Sequence, residues 1–377
     1  MAIIGLYACR KDQPESMVTI VTNPTDRLNP FANIKTPADN PVTPAKTNLG
    51  KMLFWDPILS GDKDVACVSC HHPDFGYAEN LDISIGSNGV GLGSTRHFQM
   101  PNTIGFVKRN AHTVLNTAFN GMDGMGFYDP ANAPMFWDLR KKTLELQSLE
   151  PIKSLEEMRG HHFTDSTALD SVVARLKNIE EYRQLFKLAF GSELSIDAEN
   201  IGKAIATFER TLTATNSRFD GFDRGDKNIL TDLEKTGMQL FQAVGCMNCH
   251  SGPMFSDYQL HVLSVPDNPK SPYDKGANDK YAFRTASLRN LKFTAPYMHS
   301  GQFENLEQVI DFYDVAADGR SGNPNVKTGD IDPKVRQLQI RNKEAIIAFL
   351  LTLSDDNFDK STPTKVPSQL NVGGNIK

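Results

Sequence analysis

The chain has 377 residues, 39% of them hydrophobic and 23% charged, and a formal net charge of −5. This length allows two domains of ordinary size, and the mixed charge pattern offers no basic face, which argues against a nucleic-acid partner. No apolar run approaches the ~18 residues that a membrane-spanning helix needs, so the composition predicts a soluble globular protein.

The first residues, MAIIGLYAC, are apolar and end in a sequence similar to a lipoprotein cleavage box, with Cys9 as the residue to be acylated. The positive region expected at the start of a signal peptide is absent, so a free thiol at Cys9 is the alternative. Residues 10–45 are rich in Pro, Asn, Thr and Asp and predict an exposed tether. We therefore predict that residues 1–44 are a lipoprotein-like export segment followed by a flexible tether.

Four of the five cysteines lie in two copies of one motif, CVSCH (67–71) and CMNCH (246–250). C-x-x-C followed directly by His is the attachment site of c-type haem, whose iron the histidine binds. A thioredoxin-like pair would not need the histidine, and a zinc site would usually have a second ligand pair further along, which is not visible. The residues predicted to hold two covalent haem c groups are Cys67, Cys70 and His71 in the first motif and Cys246, Cys249 and His250 in the second. Because haem c is attached outside the cytoplasm, we expect a periplasmic or cell-envelope protein.

The two motifs belong to an internal repeat. GKMLF (50–54) precedes the first motif and GMQLF (237–241) precedes the second, while IGKAIATFERTL (201–212) and NKEAIIAFLLTL (342–353) follow them. Apolar residues in these segments recur at helical spacing. The sequence therefore predicts a mainly α fold of two tandem cytochrome-c-like domains, each with one covalently attached haem c. Their predicted bounds are 45–215 and 216–360, followed by a tail at 361–377.

The middle of each half also aligns, FWDLRKKTLELQSLEP (136–151) with YMHSGQFENLEQVIDFY (297–313). Matching Leu144 with Leu306 places Pro151 opposite Tyr313. If this position faces the iron, one domain offers a phenol oxygen and the other offers no ligand. One iron would then be six-coordinate and closed and the other open, a pattern typical of an enzyme rather than of an electron carrier.

From about residue 45 to its end the chain resembles the bacterial di-haem cytochrome c peroxidase and MauG family. The stretches that carry the resemblance are LGKMLFWDPILSGDKDVACVSCHHPDFGY, RNAHTVLN, FWD, PIKSLEEM, LFQAVGCMNCH, FRTASLRN and TAPYMHSGQFENLEQ. The resemblance implies that the N-terminal haem, with His71 as proximal ligand, reacts with peroxide. The C-terminal haem, with His250, would relay electrons.

The resemblance also implies roles for residues outside the haem motifs. Gln147 and Glu157 match the distal pair that handles peroxide, although Glu157 alone would pass for a helix-surface acid. A buried carboxyl there can move a proton between the peroxide oxygens. Trp137 matches a tryptophan between the two haems, or packs the domain interface, or does both. The residues that match a calcium position, a water-rich site of the kind that calcium tolerates, are Asn110 and, through their backbone oxygens, Thr294 and Pro296; an Asn that caps a turn is the alternative.

Three features depart from the family pattern. Tyr313 stands where typical peroxidases of the family carry an axial Met and where the MauG type carries Tyr; Met298 is a rival ligand, and a packed core tyrosine is the alternative. Ser87 stands where many members carry a His that blocks the open iron, and His97 on the extra loop 88–106 is either a substitute or a surface histidine. An insertion at 121–134, rich in Gly and Met, predicts a mobile loop that shapes a partner surface or is simply tolerated.

The predicted function is reduction of hydrogen peroxide to water, with electrons from a small cytochrome c or copper protein. The alternative is MauG-like oxidation of residues of a partner protein, favoured by Tyr313 and Ser87. A non-catalytic di-haem electron carrier is the hypothesis of another class. A homodimer and a lipid anchor at Cys9 are further hypotheses.

Overall fold

The structure, a computed structural model, describes residues 30–377, so Cys9 lies outside the described residues. The α-helices in this part are α1 (Pro44–Trp55), α2 (Leu144–Gln147), α3 (Glu150–Lys153), α4 (Ala168–Lys177), α5 (Glu180–Phe190), α6 (Ala198–Thr211), α7 (Arg218–Asp223), α8 (Asp232–Ala243), α9 (Leu306–Ala317) and α10 (Lys343–Leu351). Two short antiparallel pairs join β1 (Gly89–Val90) to β2 (His97–Phe98) and β3 (Leu260–Val262) to β4 (Ala282–Arg284). The prediction of a mainly α fold is confirmed. Within residues 30–377, no helix is both long and apolar enough to cross a bilayer.

The first half is built on the crossing of α1 with α6. Helix α1 begins at Pro44, and the Thr43 hydroxyl caps it by accepting a hydrogen bond from the Lys46 amide at 3.3 Å. At the crossing, a Cβ on Gly50 would collide with the backbone carbonyl of Ala204 and lie 2.8 Å from the Cβ of Phe208. The two helices therefore pack backbone to backbone, and their apolar faces close the first core.

The second half repeats this crossing with α8 and α10. Helix α8 begins with a capping box, in which the Thr231 side chain and the Glu234 side chain each bond the other's backbone amide. A Cβ on Gly237 would collide with the carbonyl of Ala345 and lie 2.9 Å from the Cβ of Phe349. Gly50 and Gly237 are thus equivalent in space as well as in sequence. The bounds 45–215 and 216–360 and the assignment of each half as a cytochrome-c-like domain stay predictions.

Buried ion pairs link the two halves. The guanidinium of Arg109 makes two bonds to the carboxylate of Asp274, at 2.5 and 2.9 Å, and a third at 2.7 Å to Asp138. Near the surface, Lys270 Nζ lies 2.6 Å from an Asp82 oxygen. Since Asp274 and Lys270 belong to the second half and their partners to the first, these pairs fix how the halves meet.

The segment predicted as a tail, 361–377, packs against the first half. Val366 is buried in the first core, and the Ser368 hydroxyl donates to Asp56 at 2.6 Å. Further on, the Gly373 carbonyl accepts a 3.1 Å hydrogen bond from the hydroxyl of Ser69, which lies inside the first haem motif. The chain therefore returns from the second half to cover the first.

Two segments expected to be exposed or mobile are partly packed. Phe31 is buried edge-on against Phe119 at 4.9 Å between ring centroids, and Asn40 is fully buried. The exposed-tether prediction is therefore wrong for these two residues. In the insertion 121–134, Met122 and Tyr128 are buried in the same cluster as Phe31. The insertion is thus held to the protein at both of these side chains, a contact that local sequence does not reveal.

Candidate active site

The first haem motif forms one wall of a cavity of about 780 Å³, which lies in the ordinary size range of cofactor sites. Cys67, Cys70 and His71 line it, and neither cysteine forms a disulfide. His71 Nδ1 lies 3.3 Å from the carbonyl oxygen of Tyr77, which leaves Nε2 free to bind a metal. Burial lowers the pKa of His71 to about 4, so the ring is neutral, as an iron ligand must be.

The second motif repeats this arrangement in a second cavity. Cys246, Cys249 and His250 line it, and His250 Nδ1 lies 3.0 Å from the carbonyl oxygen of Phe255. In both halves two cysteines without a disulfide and a neutral, backbone-oriented imidazole line one cavity. The donor set fits a covalently bound haem c in each cavity.

Corresponding helical segments line the two cavities at the same spacing, α2 and α3 in the first half and α9 in the second. In the first cavity the face consists of Leu144, Gln147, Ser148 and Pro151. In the second it consists of Leu306, Val309, Ile310 and Tyr313 on α9. Positions i, i+3, i+4 and i+7 fall on one face of a helix. Pro151 and Tyr313 therefore occupy equivalent places, one without a ligand atom and one with a phenol oxygen.

Glu157 lines the first cavity together with Gln147. It lies on a π-helical turn, Leu155–Arg159, of a kind often found at functional sites. This turn packs so closely on Gly86 that a Cβ added to Gly86 would collide with the Glu157 backbone. Burial raises the pKa of Glu157 above the ordinary value of a carboxyl group. The structure thus brings the two predicted distal residues to one cavity and favours the protonated form of Glu157.

Trp137 lines both cavities. Its Nε1–H donates to the carbonyl oxygen of Asn110 at 3.0 Å, and the His112 ring stacks on the indole at 3.9 Å between centroids. His299 lies edge-on to the indole at 6.1 Å. Arg284, which also lines both cavities, places a guanidinium nitrogen 3.2 Å from His112 Nε2. The tryptophan is therefore the centre of an aromatic and cationic cluster between the two haem motifs.

Sequence reasoning missed His112, Arg284 and His299 as site residues. All three occur in the stretches RNAHTVLN, FRTASLRN and TAPYMHSGQFENLEQ that carry the family resemblance. Their occurrence in stretches that match the family was the signal that could have identified them. Their meeting at Trp137 depends on contacts between distant segments, which no local pattern encodes.

The residues named for two of the departures from the family pattern occupy different places. The Ser87 hydroxyl donates to the backbone oxygen of Glu157 at 3.4 Å. His97 is exposed on β2, with Nδ1 2.9 Å from the carbonyl oxygen of Thr95. Among the described residues it does not line the first cavity, which favours the surface-histidine alternative. Met298 lines the second cavity with Tyr313 and so remains a rival ligand.

The predicted calcium residues, Asn110, Thr294 and Pro296, all line the second cavity. The Asn110 side-chain amide donates to the carbonyl oxygens of Leu81 and Asp82 at 2.9 and 3.2 Å. These bonds orient the amide and leave its oxygen available. Carbonyl and amide oxygens are the ligands that calcium accepts, so the residues fit the ion.

A charged histidine lies beside the second cavity. His261 Nδ1 lies 2.6 Å from an oxygen of Asp332, and its Nε2 lies 2.9 Å from an oxygen of Asp257. Hydrogen bonding to Asp257, and after it to Cys249 and Asp332, raises the pKa of His261 to about 10. The imidazolium is therefore held between two carboxylates next to a cysteine of the second haem motif.

Comparison with known proteins agrees with this site. A family model described as di-haem cytochrome c peroxidase, CCP_MauG, matches residues 44–228. Cytochrome-c peroxidase IdrP1 of Pseudomonas sp. (strain SCT) is 32% identical, over 87% of this chain and 85% of the relative. Methylamine utilization protein MauG of Methylorubrum extorquens is 34% identical, over 84% of this chain and 80% of the relative. Cytochrome c551 peroxidase of Nitrosomonas europaea is 33% identical, over 88% of this chain and 89% of the relative.

Solved structures share the fold. A MauG-like protein associated with microbial copper homeostasis superimposes with a TM-score of 0.68 at 26% identity, over 88% of this chain and 95% of that one. The diheme peroxidase BthA of Burkholderia thailandensis superimposes with a TM-score of 0.65 at 21% identity, over 90% of this chain and 92% of that one. The curated relatives are peroxidase-type oxidoreductases of the c-type cytochrome class. The chain belongs to the di-haem cytochrome c peroxidase and MauG family, which implies two haem c groups.

Proposed function

We propose that the protein reduces hydrogen peroxide to water at the first cavity, with electrons that a small redox protein delivers through the second. The observation that carries the proposal is the asymmetry of two otherwise equivalent cavities. Gln147, Glu157 and Pro151 line the first, and Tyr313 takes the place of Pro151 in the second. At this one helical position the first cavity thus has a proline, which offers no side-chain ligand, beside acid–base groups, whereas the second has a phenol oxygen.

Glu157 and Gln147 would act on the peroxide itself. Breaking the O–O bond to water requires a proton to move from the oxygen nearer the metal to the outer one. Once ionised, Glu157 can accept the first proton as a carboxylate and return it to the outer oxygen as a carboxylic acid, and the Gln147 amide can hold the peroxide by hydrogen bonds. Closing such a cavity to bulk water strengthens these interactions.

Haem c, held through Cys67, Cys70 and His71, would supply the iron that binds and reduces peroxide. His250 and Tyr313 would hold the second haem, bound through Cys246 and Cys249. Trp137 would provide the contact between the two cavities, because its indole borders both.

Further parts of the proposal concern the surroundings of the two haems. A calcium ion bound by Asn110, Thr294 and Pro296 would stabilise the junction of the halves. Electrons would come from a small cytochrome c or copper protein, and the location would be the periplasm or cell envelope, because haem c is attached there. A lipid anchor at Cys9 and a homodimer are additional hypotheses of the same proposal.

The second candidate function is MauG-like oxidation of residues on a partner protein. Tyr313 favours it, because a phenolate ligand stabilises ferric and higher states of iron, whereas a thioether raises the reduction potential. Ser87 and the exposed His97 also favour it, since neither supplies a ligand that blocks the first cavity. A non-catalytic electron carrier is disfavoured by Pro151, because a carrier would close both irons.

The test begins with the haem content of the full chain, for which the pyridine haemochrome assay should give two haems. The fully ferric protein is then mixed with stoichiometric hydrogen peroxide in a stopped-flow spectrometer, with EPR samples taken in parallel. A reaction without prior reduction is expected, because we propose an open first iron. No reaction until one haem is reduced would contradict the open cavity and indicate a hidden blocking ligand.

Two further measurements separate the candidates. Carbon monoxide should bind to one haem of the reduced protein, whereas a carrier with two closed haems would not respond. Steady turnover of peroxide with a reduced small cytochrome c or azurin-type copper protein would support the peroxidase. Loss of both ferric EPR signals, with negligible turnover of either donor, would favour the MauG-like candidate instead.

A further inference from the structure

Glu209 on α6 is a buried acid that the proposed mechanism does not use. Its side chain lines the first cavity, yet the residue is only 4% exposed. Among the described residues no donor reaches its Oε2 atom. Burying an ionised carboxylate without a partner costs far more than burying the neutral acid. Such a group is rarely retained unless its protonation has a use.

The internal repeat shows that the fold does not require an acid there. Aligning α6 with α10 through Phe208 and Phe349, which contact Gly50 and Gly237 in the same way, places Leu350 opposite Glu209. Leu350 lines the second cavity as Glu209 lines the first. The same helical position next to each haem motif is therefore apolar in one half and carboxylic in the other.

The charged groups around Glu209 do not neutralise it. Arg210 lies on the same helix, but its guanidinium makes two bonds to Glu145 of α2. That bound pair has opposite effects on Glu209, since Arg210 lowers its pKa and Glu145 raises it. Glu209 also acts on a third ionisable group, the thiol of Cys67, which becomes a thioether when haem is attached. Burial dominates and raises the pKa of Glu209 to about 8.

We propose that Glu209 is a redox-linked proton site of the first haem cavity. Removal of one electron by peroxide or by an electrode adds one positive charge to the cavity, and that charge favours the carboxylate. The O–H bond of Glu209 then breaks and its proton passes to water, so that the net charge of the cavity is unchanged. Re-reduction by the donor returns one electron, and Glu209 then takes one proton back from water. The inference rests on the proposed function only in requiring a haem at His71.

The test is potentiometric and uses the full holoprotein. The midpoint potential of each haem is measured between pH 5 and 9, together with infrared redox-difference spectra. In the wild type, the potential of the first haem should fall as pH rises through the window in which Glu209 titrates. A carboxylic-acid C=O band should disappear on oxidation. The part of both signals that comes from Glu209 should be lost in Glu209→Gln, while any contribution from Glu157, which lines the same cavity, should remain.

Two controls are built into the chain. Glu209→Leu introduces the residue that the second half already has, so it replaces Glu209→Gln if that variant folds poorly. The second haem, which has Leu350 beside it, should keep its own pH dependence in both variants. If Glu209 only fills space, replacing it would not change the slope of the first haem's potential against pH.

The outcomes of this test and of the proposed function are separable. A two-haem Glu209→Gln protein that keeps the wild-type slope and carboxyl band would overturn the inference and leave the proposed function intact. Conversely, the slope of the wild type could be lost in Glu209→Gln while the wild type turns over no peroxide. This result would support the inference and contradict the proposed peroxidase.

Discussion

Tyr313 and Pro151 show how a single side chain can separate the chemistry of two equivalent cavities. Both lie seven residues after a leucine that begins a cavity-lining face, Leu144 in one half and Leu306 in the other. The faces share their spacing, so the difference between an open and a closed iron would rest on the presence of one phenol oxygen.

If Tyr313 binds the second iron, Tyr313→Met should raise the midpoint potential of that haem, because a thioether favours ferrous iron. The EPR signal of the second haem should change, and that of the first should not. Met298→Leu is the matched control, since it removes the rival ligand from the same cavity. Unchanged spectra in Tyr313→Phe would show that the tyrosine is only packed there.

Replacing Glu157 with Gln should slow the reaction of the ferric protein with peroxide by about 10²–10⁴-fold, the usual effect of losing a general acid–base group. Peroxide consumption is followed by stopped-flow absorbance. Glu181→Gln is the control and should react at the wild-type rate, because Glu181 is exposed on α5 and does not line the first cavity. Equal rates in all three proteins would remove Glu157 from the mechanism.

The haem ligands were predictable because C-x-x-C-H is a contiguous motif with one chemical meaning. Gln147 and Glu157 were reached only through family resemblance, since a lone acid has no distinctive local signal. Glu209 was not predicted at all, because its burial depends on the packing of α6 against α2 and the first haem motif. Contacts made by segments distant in sequence are what sequence reasoning lacked here.

At the scale of elements, the glycine crossings of α1 with α6 and of α8 with α10 organise both halves. Because the space at Gly50 is occupied by the backbone of Ala204 rather than by a flexible side chain, neither helix can yield locally. Repeated G-x-x-L-F sequences allowed these helices to be expected, whereas the short loops and π-helical turn between them gave no periodic signal.

The variant Gly50→Ala should lower the free energy of unfolding by about 3 kcal/mol, the upper range for overpacking a core. Denaturant unfolding of the holoprotein measures this change. Gly105→Ala is the control, since a Cβ there has no neighbour within 4 Å. A loss at Gly50 no larger than that at Gly105 would show that the helices can separate.

At the scale of the molecule, Arg109 and Asp274 connect the two halves next to the first cavity, which Arg109 also lines. Hydrogen bonding and charge attraction from Arg109 outweigh burial and hold the pKa of Asp274 at about 2. Since this pKa is lowered on folding, the pair stabilises the protein above the unfolded value of about 3.9 and stops doing so as pH falls toward 2.

Asp274→Asn should therefore lower the free energy of unfolding by about 2–3 kcal/mol at pH 7, and less as the pH falls from 4 to 2. Chemical unfolding at several pH values gives both numbers. Asp318→Asn, which affects an exposed pair with Arg320, should change stability by less than about 1 kcal/mol. A pH-independent difference between Asp274→Asn and wild type would contradict the ion-pair explanation.

The return of the chain to cover Ser69 has a consequence for the order of biogenesis. A polypeptide emerges N-terminus first, so residues 67–71 appear long before Gly373, whose carbonyl accepts the Ser69 hydrogen bond. Until then the first CxxCH motif lacks the contact that this segment makes with Ser69. A chain shortened before Val366 should fold with that side of the motif open to solvent, which faster hydrogen exchange at residues 67–71 would reveal.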